Sequence, residues 1–337
     1  MVNFGIVGFG LHAVKRLMPG FELSKNCRVT ALTRRDAAAA AQSAKEYNIP
    51  NAFTSVEDLC RSPEVDAVLI TTPNSCHLHE VLTAVQYGKP VLCEKPLGMN
   101  AAECKQMVEA ARKAKVFFGV AHVFRFASTV VHLRERVAAG DIGAPVMARS
   151  EFTFMVGPTH PRKWMSNRSI AGGGPIADVG VHCIDTLRYI LNDEVVRVSA
   201  SAASDALSGD VEASGILTLE FSRGTLASAL VSFRTDYRTP LEIIGGSGVF
   251  KAEAALNVEQ PINLELTRGG SLVKAETFSN NLAYTLQVDE FAAAMEGKAR
   301  FRAPGEEGWQ NQEILDAAYR SIINGKVEAV PQVLRKQ

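Results

Sequence analysis

The chain has 337 residues, of which 47% are hydrophobic and 21% are charged. This length and composition fit a globular protein of two ordinary domains better than one domain or a disordered chain. Lys plus Arg and Asp plus Glu are equal, at 36 each, so no excess of charge indicates binding to nucleic acid or to an anionic membrane.

Six cysteines are scattered along the chain, with no Cys-x-x-Cys pair and no Cys/His spacing typical of zinc sites. We expect reduced, mostly buried thiols in a reducing compartment, and no bound metal. No apolar run approaches the roughly 20 residues that a membrane helix needs, and the start of the chain does not read as a signal peptide. The expectation is a soluble cytoplasmic protein.

The first third of the chain alternates short apolar strands with segments of helical periodicity. Strands are predicted at Phe4–Val7, Val29–Leu32, Val65–Ile70, Pro90–Cys93 and Val116–Val120, and helices at Leu11–Met18, Ala37–Tyr47, His77–Tyr87 and Ala101–Ala114. This alternation indicates βαβ units. We predict an α/β Rossmann domain with a doubly wound parallel sheet over residues 1–122.

After about residue 122 the predicted strands and helices no longer alternate regularly. Helices are predicted at Thr129–Ala139, Asp178–Leu191, Tyr284–Met295 and Glu306–Asn324, with strands at Val146–Phe154, Gly215–Phe221 and Thr225–Phe233 and further strand candidates up to about Leu266. Consecutive strands with tight turns indicate a mostly antiparallel sheet. We predict an α+β domain over residues 123–337.

A glycine motif follows the first predicted strand, in Gly8-Phe9-Gly10-Leu11-His12-Ala13. The first glycine allows a tight turn, and the second lets a pyrophosphate approach the helix N-terminus, where N–H groups favour anions. Ala13 takes the third position, which needs only a small residue. At this place in a βαβ chain the motif predicts dinucleotide binding, and an ordinary strand–helix turn is the alternative.

Arg34 stands where dinucleotide folds place an acidic residue on the ribose hydroxyls, with Thr33 before it and Arg35 after it. Guanidinium groups suit a 2′-phosphate, so these residues predict NADP(H) in preference to NAD(H). The alternative is a solvated charge pair at the start of a helix, with Asp36 as the N-cap.

A second polar segment, Thr71-Thr72-Pro73-Asn74, follows the strand that ends at Ile70 and is expected to line the cofactor crevice, as is His77. His77 and His79 are two residues apart on a predicted helix, so they cannot face one metal ion together.

Lys95 follows a short apolar run, between Glu94 and Pro96. It is therefore expected at the carboxyl end of a strand, where a parallel sheet places its active crevice. A primary amine there can stabilise charge on a substrate oxygen. Taken alone, Lys95 could equally be a salt-bridge partner.

Asp178 and His182 are four residues apart at the start of a predicted helix, so they share a face. A carboxylate beside an imidazole is a candidate pair for proton transfer. The alternative is that Asp178 caps the helix and His182 is a core residue. The preceding run Gly172-Gly173-Gly174 favours function, because it would let a ligand approach the backbone closely.

Together these motifs resemble the Gfo/Idh/MocA family of glucose–fructose oxidoreductase-like and inositol dehydrogenase-like enzymes. The match covers nearly the whole chain, and Glu94-Lys95-Pro96 is its most specific part. The resemblance implies a catalytic set of Lys95, Asp178 and His182, in a cleft between a Rossmann domain and an open-faced sheet domain. It also implies a homodimer or homotetramer assembled through that sheet.

The resemblance further implies hydride transfer between C4 of nicotinamide and a carbonyl or hydroxyl carbon of a sugar, anhydrosugar or cyclitol. The substrate class is a small polyol or ketosugar, and Lys95 and His182 are both candidates for the immediate proton donor. Arg34 is similar to the NADP-using members, which include 1,5-anhydrofructose reductase-like enzymes. Many relatives carry Arg after the tryptophan that matches Trp164, where this chain has Met165. Further candidates for substrate contact are Arg125, Trp164 and Tyr284.

Two alternatives stay open. One is a non-catalytic dinucleotide-binding regulator of the same fold, and the other is an enzyme that retains NAD(P) for a transient oxidation. The presence of Lys95, Asp178 and His182 together favours an enzyme over a regulator, because a regulator does not need all three groups.

Overall fold

The structure is a computed structural model that describes residues 1–157 and 159–333. Its strands are β1 (Val2–Val7), β2 (Cys27–Thr33), β3 (Asn51–Phe53), β4 (Ala67–Ile70), β5 (Val91–Cys93), β6 (Phe118–Val120), β7 (Pro145–Thr153), β8 (Val195–Ala203), β9 (Ser214–Phe221), β10 (Leu226–Ser232), β11 (Leu241–Gly245), β12 (Val249–Ala252), β13 (Ile262–Arg268), β14 (Ser271–Phe278) and β15 (Glu328–Ala329).

The α-helices are α1 (Met18–Leu23), α2 (Ala37–Glu46), α3 (Val56–Arg61), α4 (His77–Gln86), α5 (Ala101–Ala114), α6 (Ser128–Ala138), α7 (Arg168–Ala171), α8 (Val181–Leu191), α9 (Ala283–Met295) and α10 (Gly305–Asn324). A π-helical segment precedes α1 at Ala13–Leu17, and another precedes α8 at Ile176–Gly180. Short 3₁₀ turns lie at Asn74–Cys76, Val123–Phe126 and Lys163–Ser166.

Helix α5 shows how local sequence sets these bounds. The Asn100 side chain accepts a hydrogen bond from the Glu103 N–H at 3.0 Å and so caps the first turn. Apolar residues recur at helical spacing and are buried: Cys104, Met107, Val108 and Ala111. The helix ends where Lys115 takes a left-handed conformation, at φ 55°.

The first sheet has six strands in the order β3-β2-β1-β4-β5-β6, and all its pairs are parallel. The chain order reverses between β1 and β4, and in such sheets ligands bind at the carboxyl ends of the strands beside this point. The residues after β1, β4 and β5 therefore lie where a ligand is expected to bind. This sheet confirms the predicted Rossmann architecture.

The second sheet has nine strands in the order β14-β13-β12-β11-β7-β10-β9-β8-β15. All its neighbours are antiparallel except β7 and β10. Along β9, Leu217 and Leu219 are fully buried, whereas Ile216 is 53% exposed. One face of the sheet is thus covered and the other is open, which confirms the predicted open-faced sheet.

The structure adds elements that the sequence patterns did not predict. Strand β3 has only three residues and no fully buried side chain, and α3 has six residues, so neither gives a clear periodicity. Strand β14 lies at an edge of the second sheet and has no fully buried side chain, so it lacks the apolar alternation of a half-buried strand. The helix predicted at Asp178 begins earlier, in the π-helical segment at Ile176.

Packing divides the chain into two compact units. The first comprises Met1–Val123 and Leu282–Trp309, and the second comprises Phe124–Asn281 and Gln310–Gln337. In the first unit Phe291 of α9 is fully buried and contacts the rings of Phe4 and Phe117, with centroids 6.0 and 5.1 Å away. The sequence prediction assigned α9 to the second domain, whereas its packing places it in the first unit. The predicted boundary after residue 122 stays a prediction.

None of the helices within residues 1–157 and 159–333 combines the length and the apolar character required to cross a membrane. Over the same residues, no cluster of three His, Cys, Asp or Glu side chains is placed to hold a metal ion.

Candidate active site

The turn after β1 requires a glycine at position 8. Gly8 has φ +83°, and an added Cβ would lie 2.5 Å from Cγ2 of Thr72. The N–H of Gly8 donates to Oγ1 of Thr33 at 3.1 Å, and the N–H of Phe9 donates to the Thr33 carbonyl at 2.9 Å. The buried Thr33, predicted as a cofactor residue, therefore holds the turn from the end of β2.

Thr71 holds the same turn from the other side. Its hydroxyl donates to the Gly8 carbonyl at 2.8 Å, from the end of β4. Gly10 is open, because an added Cβ would meet only the Gly8 carbonyl oxygen, at 3.7 Å. The Gly10 carbonyl accepts from the Val14 N–H, so the N–H groups of residues 11–13 precede every acceptor within the helix. An open glycine beside such N–H groups fits a dinucleotide pyrophosphate.

The other residues of the glycine motif divide by exposure. Phe9 and Ala13 are buried, and the Phe9 ring packs edge-on against Tyr47 with centroids 5.3 Å apart. Leu11 is exposed. Phe9 and Ala13 therefore support the turn by packing, whereas Leu11 lies on its accessible side.

Arg34 and Arg35 are both exposed after β2. The Nη1 of Arg34 donates to Oγ of Ser43 on α2 at 2.8 Å, which orients the guanidinium. A guanidinium has five N–H donors, and this bond uses one of them. Asp36 caps α2 by accepting a hydrogen bond from the Ala39 N–H at 2.7 Å. The alternative interpretation expects this N-cap. Capping by Asp36 does not conflict with a phosphate contact by Arg34.

The segment after β4 is held from behind by His77. The ring is fully buried, with Nε2 3.0 Å from the Thr72 carbonyl and Nδ1 3.1 Å from the Pro96 carbonyl. Burial lowers the pKa of His77, and these carbonyl contacts oppose that effect only in part. This geometry favours a role for His77 in joining the loops at Thr72 and Pro96 over direct contact with a cofactor. Of the other two residues in this segment, Asn74 is buried and Pro73 is half-buried.

Lys95 is half-buried and lies just beyond the carboxyl end of β5. Its N–H donates to Oε2 of Glu94 at 3.2 Å, and the other oxygen of Glu94 lies 2.8 Å from Nε2 of His12. The Tyr284 ring packs edge-on against the His12 ring, with centroids 6.0 Å apart. The first unit therefore brings His12, which lies within the glycine motif, into one cluster with Glu94 and Lys95 of the Glu-Lys-Pro motif.

Asp178 and His182 belong to the second unit, in one continuous helical segment that is π-helical at Asp178 and α-helical at His182. Asp178 is half-buried and lies inside this segment, so it does not act as its N-cap. His182 is 8% exposed, and its ring contacts Phe124 and Phe152, with centroids 4.8 and 5.7 Å away. The structure thus packs the His182 ring against two aromatic side chains.

Close packing within the protein explains the glycine run before this helix. An added Cβ at Gly173 would lie 1.8 Å from the Tyr319 hydroxyl, and one at Gly174 would lie 2.1 Å from the Glu212 carbonyl oxygen. These approaches correct the expectation that the run makes room for a ligand. Close packing against α10 and against the loop before β9 is what requires glycine there.

Glu212 anchors the start of the same helical segment. Its Oε1 accepts from the N–H groups of Gly174 and Ile176, both at 3.0 Å, and from the Tyr319 hydroxyl at 2.9 Å. Burial, followed by the charge of Glu212, raises the pKa of Tyr319 well above its ordinary value, so its hydroxyl stays a donor. A buried carboxylate at a helix N-terminus is favourable, and here it fixes the helix that carries Asp178 and His182.

Arg125 takes a structural role in the second unit. It is buried, and its Nε and Nη2 donate to Asp185 at 2.9 and 2.6 Å. Asp185 also accepts from Asn311 at 2.8 Å. This network favours support of α8 over the predicted contact with substrate. Trp164 is half-buried, and the neighbouring Met165 is buried.

Sequence patterns missed three residues of these clusters: His12, Glu80 and Glu212. All three act through partners that are distant in sequence or hidden in a helix. Their roles depend on tertiary contacts that no local pattern records.

Glu80 faces the cofactor segment from α4. Its Oε2 accepts a hydrogen bond from the Thr72 hydroxyl. Burial raises the pKa of Glu80 from 4.5 to about 7, although the bond from Thr72 lowers it and the charge of Glu57 raises it further. The carboxyl therefore titrates close to neutral pH beside a predicted cofactor residue.

Substitution of Glu80 by Gln should stabilise the protein at high pH. The raised native pKa means that the folded protein binds more protons than the unfolded chain between pH 4.5 and about 7, so wild-type stability falls as pH rises through this window. We expect the free energy of unfolding of Glu80→Gln to exceed that of the wild type by about 1–3 kcal/mol at about pH 8, and to differ little from it at about pH 4. Urea unfolding at both pH values measures this. Glu109→Gln, which removes an exposed carboxylate on α5, should not reproduce the trend, and a pH-independent gain in Glu80→Gln would contradict the prediction.

Two family models match the chain. The model for the GFO/IDH/MocA oxidoreductase family with an NAD-binding Rossmann fold matches residues 2–122, and the model for the GFO/IDH/MocA C-terminal domain matches residues 130–251. Two solved structures share the fold. Aldose–aldose oxidoreductase from Caulobacter crescentus, with bound glycerol, has a TM-score of 0.91 at 24% identity, covering 98% of this chain and 99% of that chain. Levoglucosan dehydrogenase, in complex with NADH and levoglucosan, has a TM-score of 0.88 at 21% identity, covering 98% and 100%.

Characterised relatives align over almost their whole length. The chain is 33% identical over 310 residues to 1,5-anhydro-D-fructose reductase of Ensifer adhaerens, covering 91% of this chain and 92% of that protein. It is 32% identical over 324 residues to D-xylose 1-dehydrogenase (NADP(+)) 2 of Haloferax volcanii, covering 96% and 98%. These matches confirm the resemblance inferred from the motifs. The chain belongs to the GFO/IDH/MocA family and is an NAD(P)-binding oxidoreductase.

Proposed function

We propose that this protein transfers a hydride between C4 of a nicotinamide, NADP(H) in preference to NAD(H), and a carbonyl or hydroxyl carbon of a sugar, anhydrosugar or cyclitol. The observation that carries the proposal is Lys95, at the carboxyl end of β5 in the sheet whose β1 ends in the Gly8 turn. The names of two relatives, a 1,5-anhydro-D-fructose reductase and an NADP(+)-dependent D-xylose dehydrogenase, support this substrate class.

The residues around the Gly8 turn are proposed to hold the dinucleotide. Gly10 and the N–H groups of residues 11–13 would receive the pyrophosphate, because the turn is open there and helix N-termini bind anions. Arg34 and Arg35 would bind the 2′-phosphate, and Thr72 to Asn74 would line the nicotinamide side. A bound nicotinamide supplies the hydride at its C4.

Lys95 is the proposed charge-stabilising residue. In the reductive direction the substrate oxygen gains negative charge as the hydride arrives at its carbon. An ammonium group within hydrogen-bonding distance stabilises that charge more in the transition state than in the ground state, which is what accelerates the reaction. Lys95 is proposed to supply this group.

Asp178 and His182 are proposed to complete the reaction from the second unit. An imidazole can deliver a proton to the developing alkoxide near neutral pH. Asp178 would hydrogen-bond a substrate hydroxyl and orient the ring. The half-buried Phe152 ring beside His182 would offer an apolar surface to the C–H face of a sugar, while the sugar hydroxyl groups would bind to polar side chains.

Removal of the Lys95 amine tests the reaction. NADPH oxidation is screened against ketosugars, inosose-type cyclitols and anhydrosugars, and the best substrate is used to compare variants. We expect Lys95→Ala to lose about 100-fold to 1,000-fold in kcat, as for loss of one donor to a developing oxyanion, with NADPH binding retained. Lys113→Ala, an exposed lysine on α5, is the control and should behave as wild type. Unchanged turnover in Lys95→Ala would remove Lys95 from the mechanism, and no activity with any member of the screen would reject the proposed substrate class.

Reversal of charge at Arg34 tests the cofactor preference. Because charge-assisted hydrogen bonds contribute about 1.5–3 kcal/mol, Arg34→Asp should weaken NADPH binding about 10-fold to 100-fold and leave NADH binding similar or improved. Dissociation constants for both cofactors are measured by fluorescence titration. Arg300→Asp makes the same charge change at an exposed position of the first unit and should leave the ratio unchanged. A wild type that binds NADH more tightly than NADPH would refute the assignment.

We further propose that the chain forms a homodimer or homotetramer through the open face of the second sheet. Leu226 of β10 pairs with Met147 of β7, and Leu230 pairs with Ile216 of β9, so their side chains share that face. Ile216, Leu226 and Met147 are 53%, 50% and 53% exposed. An apolar row on an open sheet face is typical of a surface that a second copy covers.

A charge in that apolar row should break the assembly. Ile216→Lys is expected to convert the oligomer to monomer at micromolar concentration, because burying an unpaired ammonium in an interface opposes association. Size-exclusion chromatography with light scattering measures the mass. Ile323→Lys replaces an isoleucine that is 85% exposed on α10 and should keep the wild-type mass. A monomeric wild type would contradict assembly through the sheet.

A further inference from the structure

His12 links the glycine turn to the residue before Lys95. It lies in the first turn of the helical segment that follows β1, and its Nε2 is 2.8 Å from Oε1 of Glu94, a residue 82 positions later in the chain. Glu94 is 8% exposed, so its carboxylate has little contact with water. A buried carboxylate needs hydrogen-bond donors, and His12 is the imidazole that supplies one.

The second oxygen of Glu94 points to the backbone of Lys95. The Lys95 N–H donates to Oε2 at 3.2 Å, so the carboxylate joins the His12 ring to the lysine main chain with one oxygen for each partner. Burial by itself would raise the pKa of Glu94, but the charge and hydrogen bond of His12, together with Lys95, lower it overall. Glu94 is therefore ionised and can only accept, and Nε2 of His12 is the donor.

Further contacts hold Glu94 and His12, the two residues whose side chains form this link to the Lys95 backbone. The Glu94 N–H donates to the Ile70 carbonyl of β4 at 3.0 Å, which holds the Glu94 backbone to the sheet. The His12 ring rests edge-on against Tyr284, and its helix is closed by the bond from Val14 to Gly10. With His12 and the Glu94 backbone both held, the Glu94 carboxylate accepts the Lys95 N–H from a fixed position.

We propose that His12 is a positioning residue, which orients Glu94 so that its carboxylate fixes the backbone of Lys95 relative to the dinucleotide turn. This inference rests on the proposed function, because it assigns Lys95 a charge-stabilising role. Loss of the imidazole leaves Oε1 of a buried carboxylate without its donor, and the carboxylate then turns toward water and releases the Lys95 N–H. A displacement of the ammonium by about 1 Å reduces turnover about 100-fold without removing any catalytic group.

Three substitutions separate positioning from chemistry. His12→Leu removes the donor. His12→Gln keeps an N–H near the place of Nε2, so it should restore the bond to Glu94. His12→Asn is shorter and does not reach it, and it replaces His12→Leu as the test if the leucine variant fails to fold. His79→Leu is the matched control, because His79 is another histidine of the first unit, exposed and 4.0 Å from Glu57.

The first measurement is amide hydrogen exchange of Lys95, followed by mass spectrometry on a peptide over residues 93–97. Pro96 has no amide hydrogen, so few signals overlap. The exchange rate at Lys95 should rise about 10-fold or more in His12→Leu, return toward wild type in His12→Gln, and stay unchanged in His79→Leu. An unchanged rate in His12→Leu would overturn the proposal.

The second measurement is steady-state kinetics with the substrate found by the screen. In His12→Leu we expect kcat to fall about 10-fold to 100-fold, while the substrate KM and the Kd for NADPH change by less than about threefold. His12→Gln should recover most of kcat. Equal loss in the leucine and glutamine variants would mean that the imidazole does more than position, and would also overturn the proposal. An inactive wild type would instead reject the proposed reaction, and the exchange rates would still decide whether His12 holds Lys95.

Discussion

The first unit depends on one constraint, the locking of the Gly8 turn between two neighbouring strands. The Thr33 hydroxyl and carbonyl hold the turn from β2, and the Thr71 hydroxyl holds it from β4. These bonds are possible because β1 lies between β2 and β4 in a parallel sheet, so all three strands end at the same edge. Once the turn is fixed, the start of the following helix, the place of His12 and the reach of His12 toward Glu94 follow from it.

Much of the fold could be predicted from the sequence, because buried parallel strands and amphipathic helices leave a strong periodic signal. The strands that were missed are those without such a signal. The short β3 has no fully buried side chain, and the edge strand β14 has none either. The place of α9 was also beyond sequence reasoning, since nothing local shows that Phe291 packs with Phe4.

The candidate site also contains residues that local sequence predicts and residues that it does not. Gly8, Arg34 and Lys95 could be identified as candidates because each follows a predicted strand at a short, recognisable distance in the sequence. The residues that hold them could not, because His12 and Glu94 are 82 positions apart and Glu212 and Tyr319 are 107 apart. The glycine run at 172–174 shows the converse risk. Its composition suggested room for a ligand, whereas the Tyr319 hydroxyl and the Glu212 backbone occupy that room.

The discontinuity of the first unit has a consequence for the order in which the protein is made. A ribosome releases all six strands of the first sheet early, but Phe291 and the rest of Leu282–Trp309 emerge only after most of the second unit. Until then the rings of Phe4 and Phe117 lack the contact with Phe291 that they have in the finished core. The nascent first unit must therefore wait, with apolar surface uncovered, until Leu282–Trp309 has been synthesised.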